Sequence, residues 1–144
     1  MTFVFIAIVI VVVAAMAYVR LAPTVPGDWH VRQDASAVGD TETAGSFTAV
    51  RQITAPAQEV LLAFEENALA TPRTRLVAGN MLEGRITFET RSLIWGFPDF
   101  TTVEVQGDLL IVHGRLRFGR SDLGVNKARV QDWLSALGPL TAPL

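Results

Sequence analysis

Cysteine is absent from this 144-residue chain, histidine occurs twice and lysine once. Without cysteine there are no disulfides, no thiolate nucleophile and no Cys-type zinc site. His30 and His113 are too far apart in sequence to form the paired-histidine motif of a zinc site. The single lysine stands against eleven arginines, and residues 46–144 carry ten cationic and ten acidic side chains. A formally neutral domain has no basic field with which to hold nucleic acid. No glycine-rich phosphate loop occurs, and no cofactor is implied. In Gly119-Arg120-Ser121-Asp122-Leu123-Gly124, Ser121 falls one position short of a G-x-S-x-G nucleophile elbow. Ser121, His113 and Asp99 are the residue types of a catalytic triad, but nothing in their spacing requires one.

Charge is missing altogether from residues 3–19, which also lack proline and glycine. As a helix these seventeen residues span about 25 Å, close to the thickness of a bilayer's hydrocarbon core. Their valines and isoleucines favour a strand in water, but a lone strand in lipid leaves its backbone unpaired. Tyr18 and Arg20 close the run as an interfacial aromatic and a snorkelling cation do. Residues 1–20 are therefore read as a retained membrane helix. A cleaved signal peptide competes, because Ala15-Met16-Ala17 matches a small-x-small cleavage site, although the start lacks a basic n-region. A buried helix of a soluble protein is the third reading. The signals for orientation conflict. Arg20 and Arg32 favour a cytoplasmic domain, diluted by Asp28 and Asp34. The missing cysteine and an acidic linker fit an oxidising compartment, and a periplasmic domain on the inner membrane is the expectation adopted.

Residues 21–46 read as a flexible tether, punctuated by Pro23, Pro26, Gly27, Gly39 and Gly45 and made acidic by Asp28, Asp34, Asp40 and Glu42. Trp29-His30-Val31 interrupts it, and Trp29 belongs either in the headgroup belt or docked on the folded domain. Residues 47–138 form one domain, with a tail over 139–144. A strand over 47–53 ends at Ala55-Pro56, and Pro56 suits the first turn of a helix. Val60, Leu61, Phe64, Leu69 and Ala68 give that helix its apolar stripe, up to Thr71-Pro72. Strands follow over 75–78, 85–95, 100–106 and 109–118. Ile86, Phe88 and Ile94 share one side of the second of these, Arg85, Glu89 and Arg91 the other. The last helix starts at Asp122 or Leu123 and runs to Leu137. Val130, Trp133, Leu134 and Leu137 are its core face and Gly138-Pro139 its stop. The predicted fold class is α+β, a β-α-β4-α antiparallel sheet with helices on one face, preceded by one transmembrane helix.

Residues 53–60, Ile-Thr-Ala-Pro-Ala-Gln-Glu-Val, resemble the strand-to-helix junction of helix-grip proteins. The element order is similar to the TATA-binding-protein-like fold, so the resemblance implies a reduced helix-grip with too few strands to enclose a large lipid. A longer resemblance runs through residues 47–137. It rests on Thr90-Arg91, on Gly96-Phe97-Pro98-Asp99, and on Arg115-Leu116-Arg117-Phe118-Gly119-Arg120-Ser121-Asp122-Leu123-Gly124-Val125-Asn126-Lys127-Ala128-Arg129-Val130. These segments resemble the bacterial and plastid family called domain of unknown function 1499. Its signature is a basic strand end, Gly, then Ser-Asp-x-Gly-Val-Asn and a downstream Arg. The resemblance implies an N-terminal anchor or export signal, which also favours the periplasmic side, and implies no established reaction.

The candidate binding cluster is Arg91, Asp99, Arg115, Arg117, Ser121, Asp122, Asn126 and Arg129, with no catalytic or metal residue assigned. Ser121 or Asp122 sits where a helix N-cap belongs. Asn126 and Arg129 share a helix face, and Arg129, at the edge of the core, wants Asp99 or Asp122 as its carboxylate. Arg91, Arg115 and Arg117 project from the sheet face away from the helices. Arg117, Ser121, Asp122, Asn126 and Arg129 are expected to converge where the last strand enters the last helix. They form either a salt-bridged network pinning that helix to that strand, the preferred reading, or a pocket that grips a carboxylate or phosphate. The function expected is a non-enzymatic accessory or binding module, tethered to the bilayer through residues 3–19 and contacting a membrane-protein complex or lipid. A carrier of a small apolar or anionic ligand and a hydrolase-like enzyme using Ser121 and Asp122 stand as alternatives.

Overall fold

The apolar run at the N-terminus forms a single helix, α1 (Thr2–Leu21), in the computed structural model, which describes residues 1–35 and 37–144. It is long and apolar enough to cross a membrane, and the domain leaves nearly all of it uncovered. Ala22 turns extended ahead of Pro23 and ends it. A single turn, α2 (Pro26–Trp29), follows. The remaining elements are β1 (Gly39–Glu42), β2 (Ser46–Gln52), α3 (Ala57–Ala70), β3 (Thr74–Asn80), β4 (Arg85–Arg91), β5 (Pro98–Gln106), β6 (Leu109–Leu116) and α4 (Val125–Ala136), closed by a short 3-10 turn (Gly138–Leu140).

The strands form one six-stranded sheet in the order β1-β2-β6-β5-β4-β3, antiparallel throughout. Because side chains alternate along a strand, Phe47, Ala49, Ile86, Phe88, Val103, Leu110 and Val112 all reach one face. There they meet Val60, Leu61, Phe64 and Ala68 of α3 and Val130, Trp133 and Leu134 of α4. Trp133 stands edge-on to Phe64 and Phe88, at centroid distances of 5.6 and 6.0 Å. Its indole N–H donates to the Thr71 hydroxyl at 2.8 Å, so its one polar atom is satisfied inside the core. The α+β class and the placement of both helices on one face are as the pattern predicts.

Several boundaries differ. The segment read as a tether contains β1, which pairs with β2 from Gly39 opposite Val50 to Glu42 opposite Phe47; Ser36, within the same stretch, lies outside the described residues. In α3 the stripe turns inward at Ala68, leaving Leu69 exposed. β4 stops at Arg91 because its partner Pro98 has no N–H, and residues 92–97 form a closed loop instead. In that loop the Ser92 N–H donates to the Phe97 carbonyl and the Phe97 N–H to the Ser92 hydroxyl, both at 3.0 Å. Ile94 is therefore exposed rather than in the core. β6 likewise ends at Leu116, ahead of Gly119. α4 cannot begin before Val125, because Leu123 (φ 54°) and Gly124 (φ 82°) are both left-handed.

Candidate functional site

The Ser-Asp-x-Gly-Val-Asn segment builds the N-terminus of α4. The carboxylate of Asp122 accepts the N–H groups of Gly124 at 3.0 Å and Asn126 at 2.9 Å, satisfying amides that a helix start leaves unpaired. Partial burial pushes the Asp122 carboxyl up, but these donors together outweigh it and hold the group below its ordinary value. The Ser121 hydroxyl accepts the Leu123 N–H at 3.3 Å. Asn126 is fully buried against Gly114, where a Cβ would come within 3.2 Å of it, so the glycine in β6 lets α4 approach. One guanidinium nitrogen of Arg129 donates to the Asn126 side-chain oxygen at 3.0 Å. Two reach a single carboxylate oxygen of Asp99, each at 3.4 Å. Burial raises the Asp99 pKa above its ordinary value by more than Arg129 lowers it, as the length of those contacts allows.

Asp99, Ser121, Asp122, Asn126 and Arg129 thus come together. The network reaches β5 through Asp99, while its Asn126 packs on Gly114 of the last strand. Beside it lies a cleft of about 170 Å³ edged by Phe97, Phe118, Ser121 and Asp122. Ordinary small-molecule pockets begin at about 300 Å³, the size of a second, open cleft that Arg129 lines together with Thr71, Asp132 and Trp133.

Arg117 does not join this cluster, which corrects the expected convergence. It leaves β6 on the side opposite Leu116 and donates across the other face of the sheet to the Pro23 carbonyl at 2.8 Å and the Thr24 hydroxyl at 3.4 Å. Arg115, on the same face, donates to the Asp28 carbonyl at 2.6 Å, with its guanidinium carbon 4.5 Å from the centre of the Trp29 ring. Trp29 stacks on Phe100 with centroids 3.9 Å apart and planes 16° from parallel. Of the two places open to Trp29, it occupies the folded domain. Arg91 donates to the Gly96 carbonyl at 3.0 Å, the Val19 carbonyl at 3.4 Å and Glu89 at 2.8 Å.

Residues 22–33 are therefore a strap laid over the outer face of the sheet, and several of its contacts escape a sequence reading. Thr102 donates to the Trp29 carbonyl at 3.1 Å and Gln106 to the Gln33 carbonyl at 2.6 Å. Glu104, buried beside Arg85, accepts the Gln33 N–H at 2.5 Å. His30 bonds the Thr87 hydroxyl at 2.9 Å through Nδ1 and Glu83 at 2.6 Å through Nε2. The one signal of this arrangement in the sequence is Trp29-His30 within a polar stretch. At the β2–β6 side, His113 Nδ1 lies 2.7 Å from the Thr48 hydroxyl. Burial, with Arg115 adding to it, pushes its pKa down to about 4.

The geometry narrows the chemistry. Ser121 lies at the start of α4 and His113 on the outer face of the sheet, so the two cannot share a triad. Among the described residues, no three His, Asp or Glu side chains are grouped to hold a metal ion. Phe47, Phe64, Phe88 and Trp133 pack together in the space between the helices and the sheet.

The chain belongs to the family of proteins of unknown function DUF1499, whose family model matches residues 23–137. The match begins within the strap, not at the first core strand. No curated protein matches the chain.

Proposed function

We propose that this protein is a single-pass, membrane-tethered binding module that works on the bilayer surface without a catalytic step, its domain on the periplasmic side of the inner membrane. The observation that carries this reading is the join between α1 and the domain. Arg20 donates to the Ile94 carbonyl at 2.9 Å, and Arg91 reaches back to the Val19 carbonyl. Tyr18 sits edge-on to Phe118 at 6.1 Å, Phe118 lies 6.3 Å from Phe97, and Phe97 lies 6.3 Å from Trp95. Leu93 and Ile94, 72% and 69% exposed, extend this apolar rim at the level where α1 ends. Aromatic and aliphatic side chains gathered beside the end of an apolar helix are what a headgroup region accommodates. The absence of cysteine supports the periplasmic side.

The same absence makes the test direct, because single cysteines can be labelled without a background. A nitroxide on Leu93→Cys, in the full chain in liposomes, should be accessible to oxygen and shielded from aqueous relaxants. Leu82→Cys, in the β3–β4 turn, should be wet. A Leu93 label as wet as the Leu82 label rejects surface docking. A label shielded in native membranes but wet in pure lipid identifies a membrane protein, not lipid, as the contact.

A further inference from the structure

We propose that a cleft beside the end of α1 binds the phosphate of an anionic phospholipid headgroup; that the ligand is a lipid rests on the membrane-surface reading above. The cleft has a volume of about 440 Å³ and is walled by Arg20, Arg73, Arg75, Arg91, Glu89 and Leu93. Four arginines thus line the cleft with one carboxylate, their aliphatic stems forming part of its wall, and that carboxylate is already committed. Glu89, 1% exposed, accepts from Arg75 and, at 2.8 Å, from Arg91. Arg20 and Arg73 pair with no carboxylate among the described residues. Each donates to a backbone carbonyl instead, Arg20 to Ile94 and Arg73 to Arg91, both at 2.9 Å.

Two local features place these charges. Arg73 holds a left-handed backbone, φ 61°, uncommon for a side chain of its size, and its guanidinium lies back over the end of β4. Gly96, also left-handed, leaves room for Arg20, whose side chain passes 3.0 Å from where a Cβ would stand. Like charges gathered in this way repel one another until an anion bridges them, and guanidinium forks match phosphate oxygens. Position selects the kind of phosphate. Arg20 is the first charge after the apolar run, so the cleft lies at headgroup level, and the exposed Leu93 on its wall offers an apolar contact to the glycerol and acyl chain.

The test uses the full chain in nanodiscs of equal phosphatidylcholine and phosphatidylglycerol, followed by native mass spectrometry of the lipid retained on release. Wild type should retain phosphatidylglycerol preferentially. Arg20→Gln with Arg73→Gln should lose that preference by about 30-fold, the usual strength of two arginines at a lipid surface. The corresponding double lysine variant should keep part of it, and melting should shift only slightly, because both arginines are exposed and each gives up one bond to a backbone carbonyl. Inorganic phosphate should not displace the bound lipid. Equal retention of the two lipids, or a preference untouched in the glutamine variant, overturns the proposal. Displacement by phosphate alone overturns lipid as the source. The Leu93 label, read in pure phosphatidylcholine, separates the failures. A docked rim with no lipid preference removes the cleft site alone, whereas a wet rim removes surface docking and the lipid with it.

Discussion

His113 keeps a neutral ring in the folded domain down to about pH 4, because it is partly buried on the outer face beside Arg115. In the unfolded chain the ring takes its proton near pH 6.5. Its folded pKa is depressed, so the unfolded state binds the proton first, and stability is lost as pH falls from about 6.5 toward 4. The full separation corresponds to at most about 3 kcal/mol. Asp99 has the opposite sign: its raised pKa means the folded state gains a proton first, which relieves a cost as pH falls. His113→Gln, which keeps a partner for Thr48, should flatten the decline in melting temperature between pH 7 and 5. An unaltered slope assigns the acid sensitivity elsewhere. Arg129→Ala should cost about 2 kcal/mol in denaturant titrations at pH 7, since Asp99 and Asn126 both lose a donor. A fully buried pair would cost more, but these contacts are 3.4 Å long and both side chains keep some exposure, 12% and 14%. Part of the loss should return as the pH is lowered, because burial already raises the Asp99 pKa and without Arg129 nothing on that side lowers it. An unchanged melt would favour the ligand-pocket reading instead. That Arg129, at the edge of a core, needs Asp99 or Asp122 is legible in the sequence; which of the two it takes is decided by the fold, which turns Asp122 to the amides of α4.

At the scale of elements, the strap is the part with a separable role. Trp29 is held between the Phe100 ring and the Arg115 guanidinium, so Trp29→Ala should cost about 2–4 kcal/mol of local stability. Hydrogen exchange should then accelerate over residues 22–33 while α3 and α4 stay protected, because neither helix touches that face. Uniform acceleration through the helices would show that the strap and the core unfold as one. Periodic elements were readable: the core faces of α4 and most of β4 and β6 came from spacing alone. Their ends were not. Whether residues 92–95 continue β4 depends on Pro98 across the ladder, and the start of α4 depends on two left-handed residues, of which Gly124 is a type that permits this and Leu123 is not.

The whole molecule is an apolar helix whose end contacts the domain at three points: Arg20 at the 92–97 loop, Arg91 of β4, and Tyr18 against Phe118 beyond β6. A C-terminal alkaline phosphatase fusion should be active and should stay in the membrane through carbonate extraction. An inactive fusion beside an active cytoplasmic reporter at the same site would place the domain on the other side, as Arg20 and Arg32 argue.

Local chemistry was enough for the apolar helix, the α+β class, the single core and the family signature, because hydrophobic period and residue type carry those over short stretches. The strap, the separation of Arg117 from Arg129 and the arginine cleft came only from contacts between distant residues. The strap shows why. It is held largely through its own carbonyls, at Pro23, Asp28, Trp29 and Gln33, and a carbonyl acceptor belongs to every residue alike. Such a segment needs no apolar period and leaves none in the chain, so the fold of its partners decides where it lies.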